Sequence, residues 1–208
     1  MSANHKKDGH YQRAKKEGYR ARSAYKLLEI QKRYNIFKRA FYILDLGCAP
    51  GSWLQVSKTH AEDNLIKYKD QFYYRDHYKI MGIDIQKIIP IEGINFINFD
   101  FTNPEVNTKI KFFFQDKLDL ILSDASINKT GIKLSDNLRQ VKLCQNILEL
   151  SQIHLKIKGN LVMKAFQGVE FEKLVEFTRK KFKILKLFKP KSSKKASNEI
   201  YLIGLKQK

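Results

Sequence analysis

The amino-acid sequence predicts an α/β fold, with a mostly parallel seven-stranded sheet and helices on both of its faces. Seven short apolar runs, rich in β-branched and aromatic residues and bounded by Gly, Pro, Asp or Asn, are typical of buried strands. Longer stretches with helical spacing separate most of these runs. Strands that alternate with helices favour a parallel sheet, because a helical crossover lets the next strand run in the same direction.

The predicted strands and helices alternate from residue 41 onward. The strands are 41–47, 79–85, 94–100, 118–124, 159–166, 182–188 and 199–205. The helices are about 51–60, 103–115, 137–157 and 169–181, and the apolar positions of the third are Leu138, Val141, Leu148 and Leu155. No helix is predicted between the last two strands, so we expect that pair to be antiparallel.

A basic amphipathic helix is predicted ahead of the sheet, from about Tyr11 to Tyr34. Residues 61–78 show no clear period and predict a long loop, or a short helix with a loop, to which the sequence assigns no role. We therefore expect one domain over residues 1–208, with a basic helical extension at 1–39 and a core at 40–208.

Length and composition limit the class of protein. The 208 residues, of which 43% are hydrophobic, suffice for one sizeable core. No apolar run approaches the roughly 20 residues of a membrane span, and the N-terminus lacks the apolar segment of a secretory signal. Cys48 and Cys144 have no metal-binding spacing and cannot form a disulfide framework. These features predict a soluble cytoplasmic protein without bound metal, with an organellar or nuclear location left open.

The net charge of +19 is concentrated at the two ends of the chain. Residues 1–39 hold 12 basic and 3 acidic residues, and residues 179–208 hold 11 basic and 1 acidic residue, whereas the charges between them cancel. Lysine-rich ends can be no more than a solvated surface. Their segregation around a neutral body instead indicates a face that binds a polyanion, because phosphate contacts supply the sequence-independent part of nucleic-acid affinity.

The strongest local motif is DLGCAPGSW at residues 45–53, between the first strand and its helix. Gly47 and Gly51 permit backbone conformations and close approaches that a side chain forbids, and the following helix offers free N–H groups to a polar ligand. The motif has neither the GxGxxG nor the GK[ST] form, which disfavours phosphate binding. A dinucleotide and S-adenosylmethionine both stay open as ligands.

Two carboxylates follow the next two predicted strands. Asp84 ends the second strand, where it could accept ribose hydroxyls, and Asp100 ends the third, within reach of an adenine amino group. Taken singly, either residue is as readily explained as a helix cap or a turn. The ordered set of a glycine loop and strand-end acids favours a nucleoside-like cofactor.

Segments spread over the whole chain carry a resemblance to a known family. They are DGHYQRAKKEGYRARSAYKLLEI, DLGCAPGSW, GIDI, NFDFT, LSDASINKTG, GNLVMKAFQG and KPKSSKKASNEIYLIG. With them the sequence resembles, from about Asp8 to Leu205, the FtsJ/RrmJ-type (RlmE) ribose 2′-O-methyltransferases of large-subunit ribosomal RNA. The resemblance implies a Rossmann-like S-adenosylmethionine-dependent methyltransferase fold with an antiparallel last strand.

The resemblance also implies the residues of the site. A catalytic tetrad falls on Lys26, Asp124, Lys164 and Glu199. Contacts to S-adenosyl-L-methionine fall on Gly51, Trp53, Asp84, Asp100 and Asp124. From the basic ends of the chain we expect RNA contacts at Arg13, Lys16, Arg20, Arg22, Lys191, Lys194 and Lys195.

The chemistry of the tetrad agrees with this resemblance. A ribose 2′-hydroxyl is a poor nucleophile, which must be aligned with the methyl group while its proton finds an acceptor. Lys164 follows three apolar residues at a strand end, where a lysine is costly unless it faces a polar crevice. It can act as a neutral base, which burial and Lys26 favour, or steer the oxygen as a cation, which Asp124 and Glu199 favour. The sequence leaves both roles open.

Three departures from the family pattern affect the surface around this site. The loop after the fourth strand, residues 124–128, lacks a proline that the family has, which puts the rigidity of the loop in doubt. Residues 61–78 are longer than the compact turn expected there. Lys194 stands where an arginine is common, so the charge is kept but not the bidentate geometry.

The sequence thus predicts 2′-O-methylation of RNA, with a uridine of large-subunit (23S-type) ribosomal RNA as the target, either free or in the assembled subunit. One alternative is a tRNA anticodon-loop 2′-O-methyltransferase, which shares the tetrad and the APGSW motif. Another is a non-catalytic RNA-binding factor of ribosome assembly, which the intact tetrad disfavours. We expect a monomer that has RNA as its partner and does not bind membranes.

Overall fold

The computed structural model describes residues 9–68 and 76–208. Its strands are β1 Tyr42–Leu46, β2 Lys79–Asp84, β3 Asn95–Asn98, β4 Leu118–Ser123, β5 Leu155–Phe166, β6 Phe182–Phe188 and β7 Glu199–Gln207. Its helices are α1 Gly9–Lys16, α2 Ala24–Tyr34, α3 Ser52–Tyr68, α4 Val106–Phe114, α5 Lys133–His154 and α6 Phe171–Lys181. No helix within the described residues is both long and apolar enough to span a membrane.

The strands form one sheet in the order β3-β2-β1-β4-β5-β7-β6. Strands β1 to β5 are parallel to one another, and β7 lies antiparallel between β5 and β6. The predicted fold class and the antiparallel last pair are both confirmed. The chain moves outward from β1 to β3 and then returns to β4 on the other side of β1. Ligands of open α/β sheets bind at such a switch point, outside the carboxyl ends of the strands.

The central strands are apolar on both faces because helices cover both. Every residue of β1 and of β4 is buried. Successive side chains point to opposite faces, so Leu44 and Ile121 belong to the core cluster on one side of the sheet, whereas Ile43 and Leu120 belong to the cluster on the other. This two-sided burial holds the carboxyl ends of β1 and β4 in fixed positions beside each other.

The prediction of one N-terminal helix from about Tyr11 to Tyr34 was wrong, because the structure has two helices there. Helix α1 ends at Lys16 and α2 starts at Ala24. Gly18, between them, has φ of +78°, a left-handed conformation that ends a helix and that glycine adopts without steric cost. The predicted spacing was continuous through this point, but the helix is interrupted between Lys16 and Ala24.

Two further helix predictions were wrong at their ends. Helix α3 continues to Tyr68, so much of the segment expected to be a loop is helical, and residues 69–75 of that segment lie outside the described residues. Helix α5 ends at His154, because Leu155 already pairs with Leu118 at the start of β5. Leu138 of α5 is 44% exposed and therefore does not belong to the core.

A close backbone contact joins the loops that follow β1 and β4. Gly47 has φ of +72°, and a Cβ atom placed on it would lie 2.5 Å from Cβ of Ala125 and 2.8 Å from its Cα. Real Cβ atoms do not approach that closely, so only glycine permits the two loops to touch. The contact sets the width of the crevice at the switch point.

An internal carboxylate ties the entry of β1 to the entry of β4, at the opposite edge of the sheet. Oδ2 of Asp119 accepts the backbone N–H groups of Phe41 and Tyr42, each at 2.8 Å, and Oδ1 pairs with the ammonium of Lys156. Asp119 is only 4% exposed, and hydrogen bonds to a buried charged group are among the stronger ones. The carboxylate thus fixes the alignment of the two central strands.

We expect Asp119→Ala to lower the free energy of unfolding by about 3 kcal/mol, since it leaves two buried N–H groups and a lysine without their acceptor. Urea denaturation followed by circular dichroism measures this change. Asp116→Ala, which removes an exposed carboxylate from the loop before β4, is the matched control, and we expect it to shift the free energy by less than about 1 kcal/mol. Equal effects of the two substitutions would contradict the role assigned to Asp119.

Candidate active site

The predicted cofactor residues lie at the carboxyl ends of neighbouring strands. The loop that contains Gly47 and Gly51 follows β1, Asp84 is the last residue of β2, and Asp124 directly follows β4. Asp100 lies two residues beyond β3. Parallel strands that end at one edge bring these side chains to the same crevice, beside the switch point between β1 and β4.

Asp84 fastens the glycine loop to the end of β2. Its Oδ2 accepts the backbone N–H of Ala49 at 2.8 Å, and its Oδ1 accepts the N–H of Gln86 at 2.7 Å. Gly51, with φ of +104°, turns the loop into α3, whose first-turn N–H groups have no partner inside the helix. The loop therefore presents backbone donors beside a carboxylate, a combination that suits a zwitterionic or nucleoside ligand.

The side chains of Asp100 and Trp53 are both engaged in contacts within the protein. The N–H and the hydroxyl of Thr102 both donate to Oδ1 of Asp100 at 2.8 Å, so the exposed Asp100 forms a local turn. The indole of Trp53 is 2% exposed and donates to the carbonyl oxygen of Ser23 at 2.9 Å. Its side chain is therefore a packing group, and any contact of Trp53 with a ligand falls to its backbone.

A carboxyl group that the sequence analysis did not single out lies beneath the crevice. Asp45 of β1 is 0% exposed, and neither of its oxygens has a hydrogen-bond partner among the described residues. Burial, together with the charges of Asp124 and Asp84, raises the pKa of Asp45 well above its ordinary value. Burial beneath the crevice thus favours the uncharged form of the Asp45 carboxyl group.

Lys164 and Asp124 form the inner half of a buried cluster. Nζ of Lys164 lies 3.1 Å from Oδ1 of Asp124 and 2.5 Å from its backbone oxygen. Lys164 is 8% exposed and occurs on β5, directly opposite Tyr201 of β7. The strand register thus brings a lysine from β5 and an acid from the end of β4 to one point.

Lys26 and Glu199 form the outer half of the cluster. Nζ of Lys26 lies 2.6 Å from Oε1 of Glu199, which also accepts the hydroxyl of Ser193 at 2.6 Å. Burial would raise the pKa of Glu199, but the hydrogen bonds from Lys26 and Ser193 and the charges of Lys26 and Lys164 outweigh it and lower that pKa. Glu199 is therefore ionised and fixes Lys26 of α2 beside the sheet.

Tyr201 joins the two halves, although the sequence analysis did not identify it. Its hydroxyl donates to Oδ1 of Asp124 at 2.6 Å, and Nζ of Lys26 lies 5.8 Å from the centre of its ring. Burial and the charges of Asp124 and Glu199 raise the pKa of Tyr201, so the hydroxyl stays protonated. The signal for Tyr201 was its position two residues after Glu199, which places both side chains on the same face of β7.

The structure thus brings all four members of the predicted tetrad into one buried cluster around Tyr201. Two lysines and two carboxyl groups are paired there. Among residues 9–68 and 76–208, no group of three or more His, Cys, Asp or Glu side chains is arranged to hold a metal ion. The cluster can position a hydroxyl group through lysine N–H groups and can hold a cation through its carboxylates.

The predicted RNA contacts fall into two classes. The guanidinium of Arg13 pairs with Glu17 at 2.7 Å and lies 4.9 Å from the ring centre of Tyr25, so it is already engaged within the protein. Arg22 lies beside the β6–β7 loop, with Nη2 3.5 Å from the oxygen of Ser192. Lys16, Lys191, Lys194 and Lys195 are exposed, and so is Arg13 despite its ion pair.

Arg20 fastens the segment before α2 to the rim of the crevice. Its guanidinium donates to the carbonyl oxygens of Pro50 at 3.2 Å, Ile89 at 2.5 Å and Pro90 at 2.9 Å. The loops after β1 and β2 are thus held together by one side chain. Arg20 therefore supports the glycine loop structurally. Its basic character alone predicted only a contact with RNA.

Comparison with known proteins agrees with this geometry. The model of the family described as FtsJ-like methyltransferase matches residues 19–207. A ribosomal RNA large subunit methyltransferase E from Methanothermobacter thermautotrophicus is 40% identical over 205 residues, which are 97% of this chain and 90% of the relative. The protein of the same name from Pelagibacter ubique is 38% identical over 199 residues, covering 95% of this chain and 91% of the relative.

A solved structure gives the same result at the level of the fold. The crystal structure described as that of a ribosomal RNA methyltransferase from Plasmodium falciparum superposes with a TM-score of 0.74 and 32% identity, covering 91% of this chain and 98% of the other. The sheet order, the crevice at the switch point and the family match over residues 19–207 lead to one assignment. The chain belongs to the FtsJ-like methyltransferase family.

Proposed function

We propose that the protein transfers the methyl group of S-adenosylmethionine to the 2′-hydroxyl of a uridine in large-subunit ribosomal RNA. The observation that carries this proposal is the buried cluster of Lys164, Asp124, Lys26 and Glu199 beside the crevice. The substrate rests on relatives named as methyltransferases of large-subunit ribosomal RNA, which match along almost the whole chain.

The crevice fits the proposed cofactor. When bound, S-adenosylmethionine supplies a methyl group already activated on a sulfonium. Asp84 would accept the ribose hydroxyls, Asp100 the adenine amino group, and the backbone at Gly51 and Trp53 would meet the polar end of the ligand. Asp124 lies between the crevice and Lys164 and would hold the positively charged centre near the acceptor hydroxyl.

The contacts of Lys164 favour a steering role over that of a base. Its Nζ has two oxygen acceptors from Asp124, at 2.5 and 3.1 Å, which is the environment of a protonated ammonium. A third N–H remains to donate to the ribose oxygen and direct a lone pair toward the methyl carbon, and the proton of the hydroxyl would leave to solvent water as the methyl–sulfur bond breaks. Positioning of this kind lowers the barrier by fixing the approach of the two reacting atoms.

Lys26 and Glu199 act on the other side of the acceptor. Glu199 holds the ammonium of Lys26 at 2.6 Å, and Ser193 fixes the carboxylate in turn. Lys26 belongs to the N-terminal extension, and the exposed lysines of the β6–β7 loop adjoin that extension through Arg22. RNA that rests on this basic face would place its ribose next to both lysines.

We further propose that residues 1–208 act as one domain and as a monomer in the cytoplasm. The ion pair between Lys26 and Glu199 supports a single domain, because it joins the extension at 1–39 to the last strand of the core. A non-catalytic RNA-binding role is less well supported, since binding alone requires no buried cluster of two lysines and two acids. No feature of the described residues favours tRNA over ribosomal RNA.

Transfer of labelled methyl groups to RNA tests the substrate. We expect the protein to label unmodified ribosomal RNA, supplied free or as large subunits, and not bulk tRNA. Scintillation counting of each RNA after incubation with labelled S-adenosylmethionine measures the result. Labelling of tRNA alone would refute the substrate assignment, and labelling of neither RNA would refute the enzymatic one.

Lys164→Ala tests the centre of the cluster. We expect kcat to fall at least about 100-fold, because the steering donor is lost, while the affinity for S-adenosylmethionine changes only slightly. Single-turnover methyl transfer and calorimetric titration separate the two effects. Lys142→Ala, an exposed lysine of α5, is the control and should keep wild-type rates. Full activity of Lys164→Ala would exclude the proposed role.

Acid titration tests the Lys26–Glu199 pair. Because its pKa is lower in the folded state, Glu199 stabilises the fold above its unfolded value of about 4.3, and this stabilisation is lost as the pH falls through the lower folded value. Glu199→Gln should therefore be less stable than the wild type at pH 7, and the difference should shrink below about pH 4. Urea denaturation at several pH values measures it, and a gap independent of pH would contradict the assignment.

A further inference from the structure

The amino-terminal edge of the sheet carries a second basic surface, far from the candidate active site. A hollow of about 420 Å³ opens there, and its polar lining residues are Lys38, Arg39, Asp119, Lys156, Lys158 and Asn160. We propose that this hollow, with Lys206 at its margin, binds the phosphate backbone of a second segment of the RNA substrate. The inference rests on the proposed RNA methyltransferase function and adds a binding site to it.

The hollow has an excess of positive charge that its own acid does not cancel. Asp119 is 4% exposed, and its oxygens already bind two backbone N–H groups and the ammonium of Lys156. Arg39 lies 5.1 Å from the ring centre of Tyr68. Lys38 and Lys158 are exposed to solvent, so their ammonium groups can reach an anion in the hollow.

Asn160 holds three basic segments around the hollow. Its Nδ2 donates to the carbonyl oxygen of Ile36 at 3.2 Å, and its Oδ1 accepts the backbone N–H of Lys206 at 3.1 Å. The loop before β1, the start of β5 and the end of β7 therefore meet at one side chain. Lys38, Lys158 and Lys206 lie on these three segments.

The backbone around the hollow is unusual for the residues it carries. Arg39, Lys158 and Lys206 have φ of 57°, 68° and 57°, in the left-handed region where glycine and asparagine are favoured. Lys158 belongs to a bulge, since Leu118 and Leu120 of β4 pair with Leu155 and Asn160 of β5. Bulges redirect side chains, and outlying backbone conformations concentrate at binding sites.

The basic surface continues from the hollow along the same edge. Lys208 donates its backbone N–H to the carbonyl oxygen of Lys181 at 3.1 Å, next to Lys206. Arg179 and Lys180 line a shallow depression with Lys208, where Glu176 is the carboxylate. Part of the charge at the C-terminal end of the chain therefore lies on this edge and not on the face near the tetrad.

Distance identifies the kind of partner. Glu199 and Lys206 are seven residues apart on β7, which corresponds to about 23 Å of extended strand. A single nucleotide bound at the tetrad would not reach the hollow. A large folded RNA has other segments that can, and a surface rich in lysines contacts phosphate groups, which carry no base sequence.

The inference is tested by replacing lysines of the hollow with glutamine and comparing the RNA affinity with that of a variant changed at three lysines elsewhere. The rear variant is Lys38→Gln, Lys158→Gln and Lys206→Gln, and the control variant is Lys111→Gln, Lys142→Gln and Lys173→Gln, from exposed positions of α4, α5 and α6. The probe is transcribed large-subunit ribosomal RNA, and Kd is measured by filter binding over a range of salt concentrations. We expect the rear variant to bind at least about tenfold more weakly at low salt, with a salt slope smaller by about 2 to 3, because each lost phosphate contact reduces the slope by 0.7 to 0.9.

Two further measurements separate binding from structural effects. Replacement of the same three rear lysines by Arg should restore the affinity, since arginine keeps the charge, and the rear Gln variant should keep its kcat at saturating RNA. Equal salt slopes of the rear and control variants would overturn the inference. A loss of affinity of the rear variant for assembled subunits but not for free RNA would also overturn it, because it would indicate a protein partner. If the wild type methylates no RNA, the proposed function fails, whereas a difference in slope would still show the second site.

Discussion

Charge balance within the buried tetrad constrains the rest of the site. Lys164 and Lys26 can be withdrawn from water only because Asp124 and Glu199 lie within 3.1 and 2.6 Å of them, and an unpaired buried charge would be strongly destabilising. The partners come from different elements, since Lys26 is on α2, Asp124 follows β4, and the others lie on β5 and β7. Each ion pair therefore requires the correct assembly of elements distant in sequence. A neutral Tyr201 hydroxyl shared with Asp124 completes the cluster without adding charge.

The N-terminal extension connects this cluster to the glycine loop after β1. The same segment that supplies Lys26 also clamps the crevice through Arg20, and Ser23 binds the start of α3 through its hydroxyl contact with Ser52 at 2.8 Å. These hydrogen bonds thus connect the proposed RNA-binding face to the loop that is proposed to hold the methyl donor. Movement of one would be transmitted to the other through a few hydrogen bonds rather than through a flexible linker.

Sequence patterns were sufficient for the sheet, and the family resemblance pointed to the four residues that the fold brings together, because both depend on short local signals. Period and flanking residues located all seven strands to within a few residues, and the motifs around Lys164 and Glu199 marked the cluster. Tyr201 and Asp45 were not identified from the sequence, because a single aromatic or acidic residue in a strand is not distinctive. Their importance depends on the residues that neighbouring strands bring next to them. The turn at Gly18 and the role of Arg20 likewise depend on tertiary contacts. Charge counting found the basic ends but could not show that the fold divides them between two edges.

The position of the transferred methyl group tests the account most directly. RNA labelled by the protein can be hydrolysed with alkali, which cuts after every nucleotide whose 2′-hydroxyl is free. Steering of that hydroxyl by Lys164 predicts that the label is recovered in an alkali-resistant dinucleotide whose first nucleoside is 2′-O-methyluridine. Recovery of the label in mononucleotides carrying a methylated base would contradict the assignment of the cluster as a site for ribose methylation.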